Sequence, residues 1–318
     1  MSRVVVTGRI PEVALESLRA EHEVDAWEAA EPIGRDELLN RVAGADALVT
    51  LLTERVDAEL LDAAGPQLQG VANVAVGYNN IDVPVCRERG VVVTNTPDVL
   101  TEATADIAMG LILMATRRLG EGERIIRRRE PWAWGMFYLL GSGLQGKTLG
   151  VIGLGGIGAA TARRARAFGM RIAYSSRNPC SPEVAQELGA QRLELDELLR
   201  TADVVSVHCP YSDATHHLIG AQQLALMPDT AYLVNTARGP IVDEAALADA
   251  LSERSIAGAG LDVFEQEPQV HEGLLELDNV VLVPHLGSAT IETRTAMATL
   301  AADNALAVLR GEDPPTPV

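Results

Sequence analysis

The chain has 318 residues, long for one compact unit and suited to two domains that each bury a core of their own. Its 47% apolar content excludes a disordered chain, and its short apolar runs, such as Val4-Val5-Val6 and Val91-Val92-Val93, exclude a spanning helix. With 26 basic against 44 acidic residues the formal charge is −18, which repels nucleic acid and anionic membrane, so a small anionic ligand requires a local positive pocket.

The amino terminus, Met1-Ser2-Arg3-Val4-Val5-Val6, enters a strand-like run at once without the basic and apolar regions of a signal peptide, so a cytoplasmic location is expected. Strands are expected near 3–7, 23–28, 46–51, 69–74 and 91–94, alternating with helices near 11–20, 35–43, 57–63 and 82–89. Pro11 suits a first helical turn and Gly90 a helix end. This rhythm predicts a flavodoxin-like parallel sheet. Its binding loops should lie beyond the carboxyl ends of the strands, at Leu51-Leu52-Thr53-Glu54 and Val74-Ala75-Val76-Gly77-Tyr78. Residues 101–119 read as one long apolar helix, with Thr101 as its cap and Glu102 in its first turn. Trp132, Trp134, Phe137 and Tyr138 follow, in a chain with only 3% aromatic residues, as either a dimer-contact arm or the packing of an irregular loop.

A second βαβ series opens at Lys147, the only lysine, with strands expected near 148–152, 171–175, 203–207, 231–234, 258–262 and 280–283. One helix, about 289–309, follows Pro284. The expected architecture is α/β, with a Rossmann-type doubly wound cofactor domain inserted into a flavodoxin-like substrate domain. The cofactor domain takes residues 100–283, including an interdomain helix near 101–119, and the substrate domain takes 1–99 plus 284–318. Two crossings between domains suit a hinge that closes over a substrate. Cys86, Cys180 and Cys209 share no ligand spacing, so neither a disulfide framework nor a metal site is expected.

The chemistry is carried by residues in the second half. Gly153-Leu154-Gly155-Gly156-Ile157-Gly158 follows an apolar strand and opens a helix. In that setting the first glycine permits a tight turn, the second lets the backbone approach a pyrophosphate, and the third brings helix and strand together. An NAD site places an acidic residue at the end of the next strand, yet here the strand runs into Ser176-Arg177-Asn178-Pro179. Ser176 can hydrogen-bond a 2′-phosphate and Arg177 can pair with it, so NADP(H) is the favoured cofactor and NAD(H) is possible; the alternative leaves Arg177 as a solvated residue beside an NAD site.

Arg238, between Ala237 and Gly239 at a strand end, can aim its fork at a carboxylate and a neighbouring carbonyl oxygen, or serve as a helix-end salt bridge. His285 follows Pro284 at another strand end, and a carboxylate partner such as Glu267 would stabilise its imidazolium and make it a general acid. His22, His216, His217 and His271 fall in polar surroundings and are expected to be solvated, whereas His208, before Cys209-Pro210, is expected to shape the wall of the cofactor site.

Together these motifs resemble the D-isomer-specific 2-hydroxyacid dehydrogenases, and within them the glyoxylate/hydroxypyruvate reductase branch. The resemblance covers nearly the whole chain, including Asn73-Val74-Ala75-Val76-Gly77-Tyr78-Asn79-Asn80-Ile81-Asp82, Thr94-Asn95-Thr96-Pro97-Asp98-Val99-Leu100-Thr101 and Pro284-His285-Leu286-Gly287-Ser288-Ala289-Thr290. It implies a catalytic set of Arg238, Glu267 and His285, with Glu265 a decoy for the role of Glu267. It further implies that amides around Val76 and Gly77 receive the substrate carboxylate, that Asp262 lies beside the nicotinamide, and that a homodimer forms through the cofactor domains. The expected substrate contacts also include Leu52. Expected cofactor contacts extend to Thr101, Cys209, Pro210, Thr215, Thr236, Ala237, Gly287 and Ser288. The implied reaction is reduction of a small 2-keto acid. Two other readings remain: a cofactor-sensing, corepressor-like protein that would tolerate loss of the catalytic set, and a phosphoglycerate dehydrogenase-type enzyme with the same chemistry on another substrate.

Overall fold

The computed structural model describes residues 1–318, which divide into two compact units, 1–100 with 289–318 and 101–288. In the first unit, β1 (Arg3–Val6), α1 (Glu12–Arg19), β2 (Glu23–Ala26), α2 (Arg35–Arg41), β3 (Ala47–Thr50), α3 (Ala58–Ala64), β4 (Gly70–Asn73), α4 (Val83–Glu88) and β5 (Val92–Thr94) alternate strictly. The strands form one parallel sheet in the order β2-β1-β3-β4-β5. Val4, Val5 and Val6 are all fully buried, which is why the interior strand β1 reads as an unbroken apolar run rather than an alternating one. Two of these helices, α3 and α4, start on side-chain caps: Asp57 accepts from the Leu60 amide at 3.1 Å and Asp82 from that of Val85 at 3.2 Å.

The second unit begins with α5 (Thr101–Thr116) and α6 (Leu119–Arg127). The helix expected over 101–119 is α5, which ends at Thr116, and α6 beyond it was not expected. Arg118 takes a left-handed φ of 52°, and the Ser142 amide donates to the Thr116 carbonyl at 2.7 Å, so a returning segment satisfies the helix end. Between α6 and the next strand, Trp134 and Phe137 are 80% and 89% exposed, so local packing does not account for the aromatic cluster. The chain then forms β6 (Thr148–Ile152), α7 (Gly156–Ala167), β7 (Arg171–Ser175), α8 (Pro182–Leu188), β8 (Gln191–Arg192), α9 (Leu195–Thr201) and β9 (Val204–Val207). It continues through α10 (Ala221–Leu224), β10 (Tyr232–Asn235), α11 (Glu244–Ser252), β11 (Gly258–Leu261), α12 (Glu272–Leu275) and β12 (Val280–Leu282).

These seven strands are parallel in the order β12-β11-β10-β9-β6-β7-β8, a doubly wound sheet whose direction of winding reverses between β6 and β9. Ligand crevices in such sheets open at that reversal, beyond the strand ends. The two-residue β8 was not expected, because two residues carry no readable period.

The last helix, α13 (Ile291–Leu309), belongs to the first unit and starts on Thr290, which accepts from the Thr293 amide at 3.0 Å. Its alanines, 298, 301, 302 and 305, pack with Val4, Val6, Val49 and Leu18 in one apolar cluster. Gly70 makes room for it, since a Cβ there would lie 2.9 Å from Val308. The return to this unit occurs at Ala289 rather than at the expected Pro284. Residues 285–288 stay with the second unit because the Asp262 carboxylate accepts from the Leu286 and Gly287 amides, and Thr104 donates to the Gly287 carbonyl at 3.2 Å.

Gly150, in the middle of β6, has Ala202 and Leu198 against it, and a Cβ there would fall 2.8 Å from each. Overpacking of this kind costs roughly 1–3 kcal/mol. Gly150→Val is expected to lower the urea midpoint of the second unit accordingly, and an unchanged midpoint would show that the core beneath β6 is looser than its geometry implies.

Candidate active site

The glycine loop occupies the crevice where the winding reverses. Gly153 has a φ of 94°, and a Cβ there would sit 2.6 Å from the Cys209 amide nitrogen, so both conformation and space require glycine. Gly158 lies against the Gly153 carbonyl, to which a Cβ would come within 2.2 Å. Around Gly155, by contrast, nothing lies within 4 Å of the Cβ position, which leaves the backbone open to a ligand just before α7. That helix has no acidic residue in its first turn and presents its positive end to the opening. Thr101, at the start of α5, has its hydroxyl 3.5 Å from the Cβ position of Gly156. Thr236, just beyond β10, holds a shielded hydroxyl with no partner. An open backbone cradle, a helix amino terminus and an orphaned hydroxyl fit a dinucleotide.

Ser176 accepts a hydrogen bond from the Leu154 amide at 2.9 Å, which ties the end of β7 to the glycine loop and leaves its own hydroxyl proton to donate. Arg177 is exposed. From β8, Arg192 donates to the Ser176 carbonyl at 3.0 Å and to that of Arg177 at 3.2 Å, a support that the residue pattern did not reveal. Beyond β9, His208 bonds Ser206 at 2.8 Å, and burial pushes its pKa down to about 4, so the ring is neutral at ordinary pH. Burial likewise raises Cys209 to about 11, leaving a thiol that lines the crevice rather than a nucleophile. Thr215 donates to the Pro210 carbonyl at 2.9 Å and accepts from the Ser212 amide at 2.8 Å, which closes the turn after this strand.

The strands on the other side of the reversal lead into Arg238, Asp262 and His285. At the end of β10, buried Asn235 shapes the turn: its side chain accepts from the Ala237 amide at 3.0 Å and donates to the Arg238 carbonyl at 2.9 Å. Arg238 itself donates to the Ala237 carbonyl at 2.7 Å. Burial lowers its pKa from the ordinary arginine value and the charge of Glu267 opposes that, so it remains a cation. After β11, the fully buried Asp262 accepts from the Leu286 amide at 2.5 Å and the Gly287 amide at 2.8 Å. Both carboxyl oxygens are therefore committed to the loop that carries His285, which has a left-handed φ of 52°. Burial raises the pKa of Asp262, with the Leu286 amide working against the rise. Ser288, half-buried, ends this loop.

His285 Nδ1 lies 2.8 Å from Glu267, whose other oxygen accepts from the Phe264 amide at 3.0 Å. Burial raises the Glu267 pKa, but the hydrogen bond and charge of His285 outweigh it and hold the carboxyl below the ordinary glutamate range. An ionised carboxylate only accepts, so Nδ1 carries the proton and Nε2 is the atom left to exchange one. Glu265, two residues earlier, points elsewhere and bonds His217 at 3.0 Å. His217 is thus not the solvated residue expected, because a carboxylate meets its ring. His271 caps α12 by accepting from the Gly273 amide at 3.2 Å.

Leu52, Val76 and Gly77 belong to the first unit, on the loops after β3 and β4. Buried Glu54 fixes the first loop by accepting from Thr7 and the Leu51 amide at 2.6 Å and from Thr53 at 2.5 Å, with Leu52 39% exposed beside it. In the second, Asn95 donates to the Val76 carbonyl at 2.8 Å and Asn73 to the Gly77 carbonyl at 3.0 Å. Those carbonyls are held by side chains, while neither amide is paired within the chain.

Comparison with known proteins identifies the family to which the chain belongs. Residues 109–287 match the family model described as the D-isomer specific 2-hydroxyacid dehydrogenase NAD binding domain. Over 319 aligned residues, the chain is 52% identical to a glyoxylate reductase of Thermococcus onnurineus, covering 99% of this chain and 95% of that protein. A Thermus thermophilus protein of solved structure superposes with a TM-score of 0.93 at 45% identity, covering 99% of both chains. The NADPH-dependent glyoxylate/hydroxypyruvate reductase of Sinorhizobium meliloti, solved with NADP and malonate, superposes at 0.86 with 39% identity, covering 100% of this chain and 96% of that one.

The depressed pKa of Glu267 has a consequence for stability. A carboxyl whose folded pKa lies below its unfolded value contributes stability at higher pH that is lost as pH falls through the folded value. The difference in unfolding midpoint between the wild type and Glu267→Gln is expected to be full near neutrality and to shrink once pH falls through 4.5, the ordinary glutamate value, and below. A difference that stays constant across that interval in paired thermal melts would contradict the pairing.

Proposed function

Because the chain belongs to the D-isomer specific 2-hydroxyacid dehydrogenases, we propose that it reduces a small 2-keto acid, glyoxylate or hydroxypyruvate, to the D-2-hydroxy acid with NADPH. The observation that carries the reading is the 2.8 Å contact between His285 and an ionised Glu267, in the same compact unit as Arg238 and the open glycine loop. Residues 153–158, with Thr101, Thr236 and the Cys209-Pro210 turn as further contacts, would hold a reduced nicotinamide dinucleotide, which would supply the hydride for the keto carbon. Arg238 pairs with the substrate carboxylate and polarises the neighbouring carbonyl oxygen. His285 donates its Nε2 proton to that oxygen as negative charge develops there, and Glu267 stabilises the imidazolium before transfer. In the first unit, the unpaired amides of Val76 and Gly77 can receive a carboxylate.

The preference for NADPH rests on Ser176 and Arg177. With the Leu154 amide already bonded to its oxygen, Ser176 is set to donate, which favours an anionic acceptor, and Arg177 adds the charge that a 2′-phosphate requires. The three cysteines are unpaired, in keeping with action in the reducing cytoplasm. The exposed Trp134 and Phe137 fit a homodimer contact.

His285→Gln is expected to lower kcat by roughly 10²–10⁴-fold while leaving cofactor affinity intact, because general-acid catalysis contributes that range. Near wild-type turnover of glyoxylate and hydroxypyruvate by this variant would refute the assignment. A panel of 2-keto acids assayed with NADPH and NADH tests the rest: a strong NADH preference refutes the cofactor reading, and inactivity on every keto acid favours a sensor of the cofactor over an enzyme.

A further inference from the structure

We infer that His217 and Glu265 form a clamp that holds the segments bearing Arg238 and Glu267 in register, which makes His217 a positioning residue of the reaction. This rests on the proposed roles of Arg238, Glu267 and His285.

His217 is a non-glycine residue at a left-handed φ of 48°. Such a backbone costs energy, and its contacts show what holds it. Its amide donates to the Pro240 carbonyl at 2.8 Å, two residues beyond Arg238. Its ring Nε2 lies 3.0 Å from Glu265, two residues before Glu267. One residue therefore touches both catalytic segments. Asp243 stands 3.8 Å from the other ring nitrogen, and His216 stacks on the ring at 4.0 Å between centroids.

Glu265 is held from a second direction. It accepts from the Glu244 amide at 2.8 Å, and its own amide donates to the Glu244 carboxyl at 2.5 Å. Glu244 is only 6% exposed, and it also accepts from the His271 amide at 3.2 Å. The two segments meet directly as well, because a Cβ on Gly239 would fall 1.9 Å from the Phe264 carbonyl. Between Phe264 and Gln269 the chain reverses, with the Gln269 amide donating to the Gln266 carbonyl at 2.9 Å, and Glu267 rides on that turn. Release of the Glu265 side chain would free the turn to pivot about the Gly239–Phe264 contact, and the Glu267–His285 geometry would loosen.

The test uses the intact enzyme with NADPH and glyoxylate, comparing His217→Ala, Glu265→Gln, the double variant and His217→Gln, which keeps a donor for Glu265. Small misplacements of catalytic groups cost up to about 10²-fold, so each of the first two is expected to lower kcat by roughly 10–100-fold. Cofactor dissociation constants should stay within a factor of about two, since the glycine loop is untouched. Three further results are expected: a double variant no worse than the weaker single one, partial rescue by His217→Gln, and a basic limb of the kcat profile moved to lower pH as the 2.8 Å Glu267–His285 contact loosens. Losses that multiply in the double variant, or an unmoved basic limb, would overturn the clamp. If His217→Ala fails to fold, Glu265→Gln and His217→Gln still decide it by the same limb. A crippled His285→Gln beside an unaffected Glu265→Gln would overturn the clamp alone, whereas a fully active His285→Gln would remove the catalytic reading beneath it.

Discussion

The fully buried carboxylate of Asp262 holds the backbone of residues 285–287 in place by accepting the Leu286 and Gly287 amides, and the contact between His285 and Glu267 depends on that hold. His285 adopts a left-handed backbone that a non-glycine residue does not choose on its own, and its amide is fixed by the Asp262 carbonyl at 2.9 Å. Burying a carboxylate is costly, as the raised pKa of Asp262 reflects. Two amide donors compensate for that cost and convert it into a fixed direction for an imidazole. The end of β11 thereby also sets the place of the chain's return to the first unit, because the same bonds keep 285–288 with the second.

The opposite side of the sheet reversal is organised by space rather than charge. Gly153 and Gly158 are glycines because neighbouring backbone leaves no room for a Cβ, while Gly155 is one with nothing near it. The first two compact the strand-turn-helix unit, and the third leaves the approach open. In a protein of net charge −18, attraction of an anion here falls to local features. Available for that are the α7 amino terminus and the Ser176 hydroxyl, with Arg177 exposed beside them, each short in range.

The parallel sheets were legible because buried strands on both faces leave apolar runs that βα alternation separates, as at Val4–Val6 and at Leu149–Ile152. The positions of the glycine loop, Arg238 and His285 were legible because each follows a strand end and has a distinctive residue type, whereas Glu267 lies on the turn between Phe264 and Gln269. Less could be read where long-range contacts decide. The break after Thr116 depends on Ser142, which lies 26 residues on; β8 depends on pairing with β7; and the place of Pro284–Ser288 depends on Asp262. His217 looked like one more histidine in polar sequence, and only the fold brings Glu265 to its ring. Arg192 is hidden in the same way, since its bonds go to carbonyls, which have no signature in residue type.

Glu265 and Glu267 show how identical side chains two residues apart acquire different tasks. Where the chain turns, alternate residues need not share a face, and here one carboxylate meets His217 and the Glu244 amide while the other meets His285 and the Phe264 amide. Each carboxylate thus binds one imidazole and one backbone amide, but only the Glu267 pair stands beside Arg238, whose charge acts on it. The difference between them is the direction the turn imposes, and that direction is set by Gly239, whose lack of a side chain lets the arginine-bearing segment press against Phe264. A glycine adjacent to the arginine and a buried glutamate on α11 therefore belong to the same positional system as the histidine they never touch.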